Sequence, residues 1–142
     1  METASISVLD YAARYRESVL MNRYRAGRSQ IEKYTKAPPY AYFIAQQQRD
    51  PVAAVELLRR LAFQGIRVSQ LTAPVTVEGV THAAGTWVVP MDQEFAEVVR
   101  QVMDVQRYPD LRESPDGPLE QPYDAAGWTL PLQMGVSVRA LS

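Results

Sequence analysis

From Ser5 to about Tyr34 no proline interrupts a run of helix-forming residues, and Val8, Leu9, Ala12, Tyr15, Val19 and Leu20 recur at the spacing of one helical face. The pattern predicts one long helix, or two separated near Gly27. Pro38 and Pro39 end it, because proline has no amide to donate and disfavours helix in the residue before it. Tyr40 to Ala45 (YAYFIA) is a short apolar and aromatic run that reads as a buried strand. Asp50 then supplies a carboxylate to cap free amides, and Pro51 suits a first helical position. Val52, Val55, Leu58, Leu61 and Ala62 form the stripe of the helix so begun, and Gly65 sits where a left-handed cap would stop it. Ile66 to Leu71 alternates as a second strand, which completes a βαβ unit.

Further on, Val75, Val77 and Val80, then Trp87, Val88 and Val89, are strand formers interrupted by Glu78-Gly79 and Ala84-Gly85. They predict a small hairpin or two short antiparallel strands. Asp92 is placed to cap a helix bearing Phe95, Val98, Val99, Val102 and Met103 and ending near Gln106. Residues 107–122 hold four of the ten prolines and read as a loop. A helical turn near Ala125 to Leu130 and a strand near Val136 to Leu141 close the chain. The expected fold class is therefore α/β: a small mixed sheet with a βαβ unit, a β-hairpin and a long N-terminal helix. Residues 1–36 make an N-terminal helical segment and 37–142 an α/β domain, expected to form one compact unit.

Composition narrows the chemistry. At 142 residues and 46% hydrophobic content the chain can bury a core of its own, and a net charge of -1 gives no global field to draw it onto nucleic acid or anionic lipid. The arginine-rich side of the first helix (Arg14, Arg16, Arg23, Arg25, Arg28, with Glu17) reads as a solvated face. No apolar stretch reaches the length of a membrane span, and the opening residues lack the basic-then-apolar layout of a signal peptide.

The absence of cysteine excludes thiolate zinc sites, a cysteine nucleophile and disulfides. His82 is the only histidine, so a two-histidine metal site cannot be built, and its expected place at a hairpin tip reads as a solvated turn. Phosphate-loop, dinucleotide, HExxH and GxSxG signatures are missing. Asp50 and Asp92 read as caps, and Asp110, Glu113, Asp116 and Glu120 as solvated loop carboxylates. No catalytic residue, metal or cofactor is assigned. The most unusual cluster is Tyr123, Asp124 and Trp128, where rings beside a carboxylate could stack on sugar or peptide and fix one polar group. Alternatively Trp128, Leu130, Leu132 and Met134 cover an open end of the core. Tyr40, Tyr42 and Phe43 read as core residues.

Three blocks carry a resemblance: YAYFIAQQQRDPVAAVELLRRLAFQGIRVSQL, AAGTWVVPMDQEFAEVVRQVMDVQRYPDLR and PYDAAGWTLPLQMGV. From about Tyr40 to Val136 the chain resembles the region downstream of the catalytic domain in large bacterial zinc carboxypeptidase-like proteins of the carboxypeptidase A type. The family pattern corresponds to Tyr42 with Asp50, to Gly85 through Gln93, and to Tyr123 through Gly135. This chain departs from it at Ala45 and Gln46, where the family more often has a proline nearby. Those relatives hold zinc with an HxxE pair and a distant histidine, which one histidine cannot supply. They also carry a class I glutamine amidotransferase-like domain, whose active members need a cysteine that is absent here.

The resemblance implies a noncatalytic portion of a larger exported hydrolase, periplasmic or secreted, or a free-standing relative. The expected function is that of an accessory or structural domain working through packing or partner contact. The partner would be a carboxypeptidase catalytic domain in the same or another chain, and a homo-oligomer is a further option. The alternative is a ligand-binding module for peptide or cell-wall fragments using Tyr123, Asp124 and Trp128. An independent hydrolase built on scattered carboxylates ranks last, because no preorganised constellation is visible.

Overall fold

The computed structural model describes residues 2–105, 107, 109–121, 127 and 129–142. Two helices open the chain, α1 (Glu2–Arg14) and α2 (Arg16–Lys36). They are followed by β1 (Ala41–Ile44), α3 (Pro51–Phe63), β2 (Ser69–Gln70), a hairpin of β3 (Val75–Val77) and β4 (Val80–His82), β5 (Trp87–Pro90), α4 (Ala96–Met103), α5 (Leu130–Met134) and β6 (Arg139–Leu141).

The mixture of helix and strand, the hairpin and the long N-terminal helix are as the pattern predicts. The sheet pairing differs from the expected mixed sheet. Strand order is β2-β5-β1-β6, and every hydrogen-bonded pair in it is antiparallel. Strands β1 and β2, joined by α3, do run parallel, but β5 lies between them. Strands β5 and β6, joined through α4 and α5, bracket β1 in the same way. Two interleaved split βαβ units of this kind make a ferredoxin-like βαββαβ plait, here with the β3–β4 hairpin inserted. Local pattern identifies the crossover helix; it does not reveal that a strand arriving later in the chain will occupy the gap.

Register fixes which side is core. Tyr42 faces Val89 and Ile44 faces Trp87 on one side of the sheet, and Phe43 with Val88 points to the other. The first side meets α3 and α4 in a cluster that includes Tyr42, Ile44, Leu57, Leu61, Val89, Met91 and Val99. α5 packs against both of those helices.

Asp50 caps α3 as expected, its carboxylate accepting from the amides of Val52 (2.9 Å) and Ala53 (3.1 Å), with Pro51 in the first turn. The far end closes as a Schellman motif: Gly65, at φ 82°, donates to Ala62 O and Ile66 donates to Leu61 O. The buried stripe is Ala54, Leu57, Leu58 and Leu61, whereas Val52, Val55 and Ala62 are exposed. The expected stripe thus had the right period and partly the wrong members.

Asp92 does not cap α4. Its carboxylate takes the guanidinium of Arg67 at 2.6 Å, and the helix starts later, at Ala96, and ends at Met103. In between, buried Gln93 accepts from the Arg67 amide at 2.7 Å and donates to the Pro90 carbonyl, tying the approach to β2 to the end of β5.

The hairpin covers the second face of the sheet. Its turn is Glu78-Gly79, both at positive φ (48° and 71°), the geometry that matches strand twist in a two-residue loop. His82 is not at the tip but at the end of β4 opposite Val75, where its ring stacks on Phe43 with centroids 4.2 Å apart. The region expected as a loop includes a small closed turn, with Arg112 bridged to Leu119. α5 begins at Leu130, the last residue of the expected helical turn, of which Ala125, Ala126 and Trp128 lie outside the described residues, and β6 lies inside the predicted strand.

Candidate functional site

Two features stand out once the fold is in place: a polar clasp along α4, and the helical arm that precedes the plait.

Glu97 and Asp104 lie seven residues apart, on one side of α4 and at its end, so both point toward the same neighbours. Glu97 Oε1 accepts from Lys33 Nζ at 2.6 Å and from the Tyr34 hydroxyl at 2.9 Å. Its backbone amide donates to Gln30 Oε1 at 3.0 Å. Asp104 accepts from the Tyr42 hydroxyl at 2.6 Å and from Arg100 Nε at 3.0 Å, and its carbonyl accepts from the Thr129 hydroxyl. A cleft of about 650 Å³ opens beside this clasp, lined by Glu97, Arg100, Gln101, Asp104, Val105 and Arg107.

The electrostatics are those of a fastening. The hydrogen bond from Lys33, reinforced by Tyr34, holds Glu97 below the ordinary carboxylate value and outweighs its partial burial. The same contact raises Lys33. Burial, and then the bond to Asp104, push the Tyr42 hydroxyl up, and Asp104 raises Arg100 further. A general base needs a pKa drawn toward neutrality, and a phenolate nucleophile needs one drawn down. Glu97 and Tyr42 are moved the opposite way. The clasp therefore joins α2, β1 and α4 and holds Lys33 and Glu97 in their charged forms.

Glu97 also sets a pH dependence. A carboxyl depressed in the folded state contributes stability that is complete above its ordinary value near 4.5 and is lost as pH falls through the lowered folded value. Thermal unfolding followed across the acid range is expected to show that loss for the unaltered chain and a flatter profile for Glu97→Gln. Equal acid slopes would contradict the clasp.

The arm is the second feature. Its helices carry Val8, Leu9, Ala12, Tyr15, Val19 and Leu20 at the spacing of one helical face, and all of these are exposed except Ala12, which is half-buried. The break falls at Tyr15, not at Gly27, and the helical repeat carries across it through bonds from Tyr15 N to Tyr11 O and from Val19 N to Tyr15 O. Burial begins only at Gly27. A Cβ there would sit 3.1 Å from the Glu94 Cβ, so the missing side chain lets α2 close on the chain just before α4. From there Tyr34 reaches the core at 1% exposure. Residues 3–22, roughly 30 Å of helix, thus project from the plait, and Arg23 is the first side chain to reach it, pairing with Glu94 at 3.4 Å and lying over the Phe95 ring. Along one side run Val8, Tyr11, Tyr15 and Val19, with the rings of Tyr11 and Tyr15 in tilted contact, their centroids 4.8 Å apart. Along another run Ile6, Leu9, Ala13, Leu20 and Tyr24, in line with buried Gly27 and Tyr34.

The proposed ligand residues Tyr123, Asp124 and Trp128 lie outside the described residues. Nearby, Gly127 is exposed and Thr129 is buried against Asp104. Among the described residues no group of three or more His, Asp or Glu side chains is placed to hold a metal ion. No helix is long and apolar enough to cross a membrane among those residues. The local pattern does not single out the clasp: Tyr42 reads as a core aromatic, and nothing near Glu97 or Asp104 in sequence marks them. Their common feature is the seven-residue spacing, which acquires meaning only when β1 and α2 are laid beside α4.

No protein family, curated protein or solved structure matches this chain.

Proposed function

We propose that the chain is a noncatalytic accessory unit of a zinc carboxypeptidase-like protein, working through contact with a partner, and that the N-terminal arm carries the contact. The observation behind this reading is the arm itself, whose large apolar side chains, from Ile6 to Tyr24, are 41–69% exposed. Contiguous exposed apolar surface of this kind marks interaction sites in soluble proteins. The carboxypeptidase-like context comes from the sequence blocks between Tyr40 and Val136, which supply the plait. The clasp, with its paired charges and outward-shifted pKa values, favours a holding role over chemistry.

Sedimentation velocity of the full chain, alone and mixed with a zinc carboxypeptidase-like catalytic domain, tests the proposal. An arm-dependent complex is expected, with the domain or with another copy, weakened roughly 10-fold by Tyr11→Asp or Leu20→Asp. A chain that stays monomeric and ignores that domain would overturn it. So would turnover of a peptidase substrate abolished by altering one of the chain's own residues.

A further inference from the structure

We infer that the Ile6, Leu9, Ala13, Leu20 and Tyr24 side of the arm pairs with the same side of a second copy of this chain, the two arms running antiparallel about a two-fold axis between residues 16 and 17. The inference rests on reading the arm as a contact surface and names one of its partners.

The seam is apolar except at its centre, where Arg16 and Glu17 interrupt the stripe. Neither makes an ion pair among the described residues; Arg16 reaches only the Ala13 carbonyl, at 3.5 Å. With the axis between them, Arg16 of each chain meets Glu17 of the other. The same register sets Leu9 beside Tyr24 and small Ala13 beside Leu20, the alternation of large and small that lets two helices interlock. It also sets Asp10 near Arg23.

Charge along the arm excludes the parallel arrangement. The first half, through Ala13, carries Glu2 and Asp10 and no base, whereas the second, to Arg28, carries Arg14, Arg16, Arg23, Arg25 and Arg28 against Glu17 alone. Antiparallel pairing lays the acidic half on the basic half; parallel pairing lays arginines on arginines. Each plait begins at Gly27, where Glu94 already closes on this side of α2, so the pairing runs from Leu9 to Tyr24 and Ile6 of each chain comes to the edge of the other's plait. A two-fold contact of this kind is isologous and closes on itself. The opposite side, with Val8, Tyr11, Tyr15 and Val19, stays open to another partner.

The test is sedimentation equilibrium of the full chain up to on the order of 100 μM. A monomer–dimer equilibrium is expected, weakened roughly 10-fold by Leu9→Asp. Arg16→Glu and Glu17→Arg should each weaken it, and the double exchange Arg16→Glu with Glu17→Arg should restore it. All three positions lie away from the core, so circular dichroism should be unchanged. Because the chain has no cysteine, a spin label can be placed at a single engineered site. Ser18 and Ser7 both lie off the seam, so label pairs at either site carry a similar sideways separation; the antiparallel offset along the rod should place pairs at Ser7→Cys farther apart than pairs at Ser18→Cys by roughly 10 Å. Equal distances at the two sites mean parallel arms and overturn the inference. A chain that is monomeric throughout this range also overturns it; if that monomer binds the catalytic domain through Tyr11, the contact reading survives alone.

Discussion

Tyr34→Ala is expected to lower the unfolding free energy by about 3–5 kcal/mol, the cost of emptying a buried aromatic site. Tyr34 is 1% exposed, belongs to the core cluster and is the residue through which α2 joins the plait. Its hydroxyl adds a second role, donating to Glu97. Tyr34→Phe keeps the ring and removes that bond, so about 1–2 kcal/mol should be lost. Urea denaturation of the three proteins separates packing from hydrogen bonding. Amide exchange adds a spatial readout: in Tyr34→Ala, protection should fall first over residues 27–36, which hold the arm to the plait. A loss below about 1 kcal/mol for the alanine variant would mean that α2 is not docked as described.

Leu57→Ala is expected to cost about 3–4 kcal/mol. Leu57 has no exposure and sits in the buried stripe of α3 that faces Tyr42, Ile44 and Val89 across the core. Truncation removes transfer free energy and leaves a cavity walled by strands that cannot move without breaking their pairing. Val55→Ala, two residues away on the same helix but 47% exposed, should change stability by less than about 0.5 kcal/mol. The contrast matters because Val55, not Leu57, is the residue that the sequence pattern places in the stripe. Comparable losses at the two positions would show the helix rotated from the face described here.

That pair shows how far sequence reached. Punctuation was legible: Asp50-Pro51 and Gly65 set the limits of α3, and Glu78-Gly79 set the hairpin, because caps and turns follow from a few neighbouring atoms. Facing was less so. Several phases of a 3.6-residue repeat were open to α3, and the choice among them was made by the sheet beneath it. For α4, Asp92 had the chemistry of a cap, but Arg67, twenty-five residues upstream, competes for the same carboxylate. The arm was legible as helix; the point where it leaves the plait was not, because Gly27 meets Glu94 only in the fold. The clasp was wholly tertiary, drawing Lys33 and Tyr34, Tyr42, and Glu97 with Asp104 from three separate elements.

The neck of the β3–β4 hairpin has one more implication. Leu71 and Thr86 are clipped together there, Leu71 N donating to Thr86 O at 2.9 Å and Gly85 N donating to Leu71 O at 2.7 Å. The segment between leaves and re-enters the plait at a single point, so its length can drift without shifting the register of β2 against β5. A plait of this type otherwise shows one bare sheet surface to solvent; here that surface has a roof whose hinge is already sealed. The scaffold can therefore exchange the roof for a longer, shorter or differently shaped one while the layer below keeps its order.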